Sequence, residues 1–304
     1  MRLHIEFSTS ETAVIPLNHL PQVNEMVSAL LKNVDVDKHI QKKSALGFGK
    51  HSLKKSETQE IAEESESLAT APSAKEEYNV NSTQRLMVTY SQLRIPQQRR
   101  RRIDNVLEIA PGRIDWYLAS PYCSLLLEDI KNQMDRKPVL MMGDLELQVT
   151  DNNYVPYPAF SNEMIFTCLS PIVAMCRNEK LPTFLLPKDG VEFTNIIRRN
   201  LIRKYFQVHN RYPHETNLIL EFDSGWLKRT SHRGTKKLFV GGKNVIGAFA
   251  PFKLLGSPEL IRTAWECGLG DKNSLGFGMI TASRMKSFDA KLIASEIVAP
   301  ERTC

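Results

Sequence analysis

Twice along its 304 residues this chain passes through the same order of predicted elements, strand–helix–strand–strand–helix–strand. That repetition limits its fold more than any other feature. Residues 2–7 alternate apolar and polar, the period of a half-buried strand. After Pro16 and Asn18, the residues Val23, Met26, Val27, Leu30 and Leu31 recur at helical spacing. A break at 33–35 precedes a short polar helix or loop over 37–44. Strand character resumes at 86–93, and 103–119 reads as a hairpin turning at Pro111-Gly112. Residues 122–134 form the second predicted helix, with Leu125, Leu126, Leu127 and Ile130 spaced for burial. A strand, or a short hairpin through Gly143-Asp144, follows at 139–149.

The second half repeats the order with a strand at 164–173, a helix at 193–206, strands at 218–222 and 238–249, a helix up to Cys267 and a strand at 277–282. Ser257-Pro258 opens the last helix as an N-cap followed by proline in the first turn. In the helix over 193–206, Ile196, Ile197, Leu201 and Ile202 are expected inward and Arg198, Arg199, Arg203 and Lys204 outward. The expected fold is α+β, two tandem ferredoxin-like (βαββαβ, RRM-like) domains. Their bounds are read as 1–155 and 156–282, with 283–304 a tail. Residues 54–83 stand apart: acids and small polar residues with almost no large apolar side chain cannot offset their ordering entropy by burial. They are expected to form a mobile acidic insertion in the first domain.

No window holds about 20 uninterrupted apolar residues, and the first seven residues carry charges where a signal peptide needs an apolar stretch, so a cytoplasmic protein without a membrane span is expected. The five cysteines are widely spaced, with no Cys-x-x-Cys pair and no His-Glu-x-x-His, so neither a disulfide framework nor a metal site is expected. The formal net charge is +6 and the basic residues are clustered. Arg99, Arg100, Arg101 and Arg102 form one cluster, Arg198, Arg199, Arg203 and Lys204 a second, and Arg229, His232, Arg233, Lys236, Lys237 and Lys243 a third. One such cluster is as well explained by a solvated face; three together favour a phosphate-binding surface.

Between the last predicted helix and strand lies the run Gly268-Leu-Gly-Asp-Lys-Asn-Ser-Leu-Gly-Phe-Gly278. Gly268, Gly270, Gly276 and Gly278 let backbone N–H groups converge on phosphate oxygens, with Lys272, Asn273 and Ser274 between them. A dinucleotide loop would leave a strand and open a helix, whereas this run follows a helix. A tight turn that holds no ligand is the plainer alternative.

The run resembles the signature of the CRISPR-associated Cas-six (Cas6) family, CRISPR repeat endoribonucleases of the RAMP superfamily. Other segments resemble the family in the same order: Met1-Arg-Leu-His-Ile-Glu-Phe7 with Ile15-Pro-Leu-Asn-His19, Leu86-Met-Val-Thr-Tyr-Ser-Gln-Leu93, Leu169-Ser-Pro-Ile172, Asn200-Leu-Ile-Arg-Lys-Tyr205 and Gly256-Ser-Pro-Glu-Leu260. The resemblance implies metal-independent, cofactor-free cleavage of CRISPR precursor RNA within each repeat. The ribose 2′-hydroxyl attacks, leaving a 2′,3′-cyclic phosphate and a 5′-hydroxyl. It implies repeat RNA as partner, with other CRISPR effector or adaptation proteins as further candidates. It places the catalytic histidine after the first helix, at His39 or His51, with Lys42 among the cations that could serve the reaction. An alignment anchored on Gly47 puts Ser44 there instead and implies a weak or inactive enzyme. A tyrosine that some members carry on the first helix is Ser28 here, and a lysine before the second strand is Leu86. The glycine run, Arg99–Arg102, Arg199, Arg203 and Lys204 are the implied RNA contacts. A catalytically inactive repeat-binding subunit, or the RNA-processing domain of a larger adaptation protein, stays open beside the nuclease.

Overall fold

The computed structural model describes residues 1–32, 34, 87–176, 183–231 and 234–283, without the side chains of 123–125. The first half comprises β1 (Arg2–Thr9), β2 (Ala13–Pro16), α1 (Leu20–Leu31), β3 (Thr89–Tyr90), β4 (Arg100–Ile103), β5 (Val106–Ile109), β6 (Gly112–Ala119), α2 (Cys123–Arg136), β7 (Val139–Met142) and β8 (Leu145–Tyr154). The second comprises β9 (Glu163–Cys168), β10 (Ala174–Cys176), β11 (Thr183–Leu185), α3 (Gly190–His209), β12 (Leu218–Phe222), α4 (Ser224–Arg229), β13 (Thr235–Val240), β14 (Lys243–Ala248), β15 (Phe252–Gly256), α5 (Pro258–Cys267) and β16 (Ile280–Ala282).

Strand alternation decides which face each sheet buries. On β1, Leu3, Ile5 and Phe7 are fully buried and pack with Val23, Val27 and Leu31 of α1 and Leu126, Leu127 and Ile130 of α2. Each such side chain contributes about 1.5–3 kcal/mol of burial. On the opposite face His4 lies 2.7 Å from Asp115, and Arg113 pairs with Glu6. The first sheet runs β3-β6-β1-β8-β7, and the second β12-β15-β9-β16, all antiparallel. In each, the first strand of a βαββαβ unit sits centrally between the third and the fourth. The chain is therefore a tandem of ferredoxin-like folds. The second core gathers Phe193, Ile197 and Leu201 of α3, Leu260, Ile261 and Ala264 of α5, and Phe166, Phe252 and Leu254 from the sheet. Ser257 caps α5 as its sequence suggests, its Oγ accepting from the Leu260 amide at 3.3 Å.

Two strand expectations are corrected. β5 and β6 do not pair across Pro111-Gly112. β5 joins β2 and β4 in a separate three-stranded sheet, and the true hairpin turn is Asp104-Asn105 between β4 and β5. Residues 238–249 are not one strand of the second sheet. β13 and β14 make a hairpin of their own through Gly241-Gly242, both at positive φ (57° and 74°), the two-residue turn whose twist matches paired strands. The place expected for that strand is taken by β15. The 139–149 segment is the hairpin alternative, β7–β8.

The halves are joined by more than the chain. Leu238, Val240 and Val245 of the β13–β14 hairpin are buried in the core of the first half. The Arg2 guanidinium, buried on β1, donates to the Trp265 carbonyl of α5 at 2.8 Å and lies 4.0 Å from the centre of its ring. Among the described residues no helix is long and apolar enough to cross a membrane.

Candidate nucleic-acid interface

The glycine-rich run leaves α5 at Gly268 and folds back on itself before β16. The Leu269 amide donates to the Gly278 carbonyl at 2.8 Å, the Asp271 amide to Val173 at 2.8 Å and the Gly278 amide to Pro171 at 2.7 Å. Residues Asn273–Leu275 make one 3-10 turn between Lys272 and Gly276, both left-handed. Glycine is required at 270, where φ is 67° and a Cβ would stand 2.1 Å from the Val173 carbonyl oxygen.

The turn is seated on the first half. The position of a Cβ on Gly276 is filled by Leu20 of α1 and the ring of Tyr90 on β3. The Tyr90 hydroxyl lies 2.6 Å from Asn24 Oδ1 and 3.0 Å from the Ser274 carbonyl, and burial pushes its pKa well up, so it stays a donor. Thr89 Oγ1 reaches the Phe277 carbonyl at 3.4 Å.

Two of the implied RNA contacts are engaged within the protein instead. Lys204 is buried: its Nζ donates to the carbonyls of Gly268 and Gly270, both at 2.8 Å, and to Asn273 Oδ1 at 2.6 Å. The physical reason is helical phase, because Phe193, Ile197, Asn200, Lys204 and Val208 form a single buried stripe. Asn273 is spent within the turn as well, its Nδ2 donating to Leu269 and Phe277 carbonyls at 3.1 and 3.0 Å. The four glycines of the run are buried, while Lys272 and Ser274 are half-buried at its rim. Beside that rim Arg203, with 63% of its side chain exposed, lies 3.9 Å from Asp271, whose Oδ1 also accepts from Asn200. Arg199 is exposed on the same helix.

A second basic surface is built from both ends of the sequence. Asn18 Nδ2 donates to the Phe239 carbonyl at 2.6 Å, and Lys236 bonds to Gln92, so the β13–β14 hairpin lies against the first half. Burial lowers the pKa of Lys236, and the nearby Arg100 pushes it further down. His19, half-buried here, is lowered to about 4 by desolvation and then by Lys236, so it is a neutral structural ring. Arg100, Arg101 and Arg102 are exposed on β4, and Lys237 and Lys243 on the neighbouring hairpin. Phe239 stands among them, 54% exposed. Arg99 is the exception. Its guanidinium closes the Pro111-Gly112 corner on the carbonyls of Arg113 and Ala110, so it is a structural clamp. Arg101 pairs with Glu108 at 2.7 Å, an exposed ion pair that a phosphate can displace at little cost.

His39, Lys42, His51 and the alternative Ser44 lie outside the described residues, as do the 54–83 segment, the tail beyond 283, His232 and Arg233. The chain carrying the first four re-enters the described structure at Met87, two residues before Thr89, against the glycine-rich turn.

Residues 155–282 match the family model for the CRISPR associated protein Cas6, C-terminal. The putative CRISPR-associated endoribonuclease-like protein Cas6nc of Pyrococcus horikoshii is 29% identical over 188 residues, 60% of this chain and 74% of that protein. Over its second half the chain thus matches the Cas6 family. A further Cas6 relative, the CRISPR-associated endoribonuclease Cas6 1 of Methanocaldococcus jannaschii, is 27% identical over 201 residues, 63% of this chain and 72% of its own length. A solved CRISPR associated protein Cas6 superposes with a TM-score of 0.65 at 21% identity, covering 93% of this chain and 99% of that one. The structure titled as an RAMP protein binding different RNA substrates superposes at 0.66 and 20% identity, over 93% and 99%.

Sequence reading missed Tyr90, Asn24 and Phe239. An aromatic flanked by lysines at alternate strand positions, Lys237 and Phe239 before Gly-Gly, was the one available signal for the last. Nothing local marks Tyr90 or Asn24, because their role exists only where the two halves meet.

Proposed function

We propose that this chain is a metal-independent endoribonuclease that cleaves CRISPR precursor RNA within its repeats. The observation that carries the reading is the seat of the glycine-rich turn. Ser274 and Phe277 of the second half bond through their carbonyls to Tyr90 and Thr89 of the first, close to where the segment bearing His39, Lys42 and His51 rejoins the described residues. The endoribonuclease names of its relatives support the reaction class. In that reaction the 2′-oxygen attacks phosphorus and the bond from phosphorus to the 5′-oxygen breaks. One group takes the 2′-proton, another gives a proton to the leaving oxygen, and cations stabilise the phosphorane. An imidazole suits both proton transfers because its pKa lies near working pH. Lys42, Lys272 and Arg203 are the cations assigned to the phosphorane charge.

The halves, 1–155 and 156–282, act as one RNA-binding unit in the cytoplasm. The paired hairpins β4–β5 and β13–β14 supply backbone contacts through Arg100, Arg101, Arg102, Lys237 and Lys243. Arg101→Ala and Arg102→Ala are each expected to weaken repeat-RNA binding and to reduce the slope of log affinity against log salt by about 1, uniformly across RNA sequences. Filter binding between 50 and 300 mM salt measures it, and an unchanged slope removes that arginine from the interface.

The test of the reaction is cleavage of end-labelled repeat RNA in excess EDTA. Full-rate cleavage with a 2′,3′-cyclic phosphate on the 5′ fragment is expected; dependence on magnesium refutes the mechanism. Tight binding without product supports the second reading, a repeat-binding subunit. What favours that reading is that Ser28 and Leu86 stand where some members carry a tyrosine and a lysine.

A further inference from the structure

We propose that Lys204 is a positioning residue whose ammonium moulds the glycine-rich turn from within, so that RNA affinity falls when that ammonium gives up its proton. The inference rests on the RNA-binding reading above and deepens it.

Lys204 projects from the buried face of α3 into the turn and meets three oxygens, the Gly268 and Gly270 carbonyls at 2.8 Å and Asn273 Oδ1 at 2.6 Å. An ammonium has three N–H donors and fills all three. A neutral amine has two and turns its lone pair toward the third oxygen, which is left buried without a donor. None of the three acceptors is a carboxylate, so no fixed countercharge holds the proton in place. The charged and titratable groups facing the ammonium are Cys267 at the end of α5, Asp271 in the turn and Arg203 on α3. Asp271 is shared with Asn200 and Arg203. Burial pushes Lys204 down to about 7, with Cys267 and Asp271 opposing and Arg203 assisting.

The turn is the piece that changes. Its carbonyls at 268 and 270 point inward at Lys204, and Asn273 bridges from Lys204 to the carbonyls of Leu269 and Phe277. Loss of one of these bonds loosens the strand of backbone that carries Lys272 and Ser274 at the rim. Folding stability moves the other way. The unfolded chain holds this proton up to about 10.5 and the folded chain only to about 7, so between those values the cost of burying the charge is relieved and the fold gains stability. Opposite trends of affinity and stability above pH 7 are the signature of this residue.

The experiment follows the intact protein at constant salt from pH 6 to 9. Repeat-RNA affinity of the wild type is expected to weaken about tenfold through pH 7, the equivalent of one lost hydrogen bond. Lys204→Met is expected to bind as weakly as the wild type at high pH and to show no step. Lys272→Ala is expected to bind less tightly yet keep the step. An identical step in Lys204→Met overturns the proposal. Should Lys204→Met not fold, the wild type alone decides. The Nζ resonance of Lys204 in isotope-labelled protein should titrate near 7, and amide exchange at Leu269, Asp271 and Gly278, corrected for intrinsic rates, should quicken across the same range. An ammonium still protonated at pH 9, or turn amides indifferent to pH, refutes it. These two readouts need no RNA, so a protein that passes them but binds no repeat keeps Lys204 as the residue that moulds the turn, and loses the RNA reading together with the affinity step that rests on it.

Discussion

Replacing His39 with alanine is expected to lower single-turnover cleavage of repeat RNA by about 10²–10⁴-fold while leaving RNA affinity within about threefold. The size follows from what one positioned acid or base contributes when the rest of the site is intact. The split between rate and affinity follows from chemistry: an imidazole that moves a proton acts in the transition state, whereas the cations that hold the phosphates act in both states. The matched measurement on His51→Ala makes the assignment. A comparable loss there and none at His39 transfers the role to His51, a loss at both assigns acid and base to the pair, and indifference at both leaves the repeat-binding reading standing. Parallel loss of binding and cleavage in His39→Ala would mean that the residue contacts RNA or orders the site without exchanging a proton.

Gly270→Ala is expected to destabilise the protein by about 2–5 kcal/mol. Two effects add. A non-glycine residue in the left-handed region costs about 1–2 kcal/mol, and overpacking adds about 1–3 kcal/mol where the obstacle cannot swing away. Here it cannot, because the added methyl meets the Val173 backbone carbonyl at 2.1 Å and that same carbonyl accepts the Asp271 amide. Urea titration monitored by tryptophan fluorescence reads the change, with Trp265 buried close to the turn's origin. A midpoint within error of wild type would show that the turn does not pack against the 171–173 segment as described.

The parts of this fold legible in sequence were those governed by local periodicity. The buried stripes of α1 and α3, the cap at Ser257 and the alternation of β1 each follow from spacing within one element. What periodicity could not say is which core a face will enter. Leu238, Val240 and Val245 read as an ordinary strand face, yet they are buried in the first half, and β15 fills the place left for them. Pro111-Gly112 looks like a hairpin turn because proline and glycine mark any sharp change of direction, including a corner between two sheets. The site shows the same limit. The glycine run and the charged clusters were visible as composition, but the meeting of Arg100 with Lys236 spans 136 positions of sequence and has no local trace. Lys204 was misplaced because charge was allowed to outweigh helical phase. The buried stripe beginning at Phe193 already points it inward, and a lysine with three oxygens to satisfy it can follow that stripe.

The seat of the β13–β14 hairpin has a consequence for how the chain is made. A ribosome that has released residues 1–155 has not released everything the first core contains, since Leu238, Val240 and Val245 are about 85 residues away. At roughly 5–20 residues per second they arrive about 4–17 s later. For that interval the nascent half carries an unfilled apolar gap, and it closes only once the other half has supplied the missing hairpin.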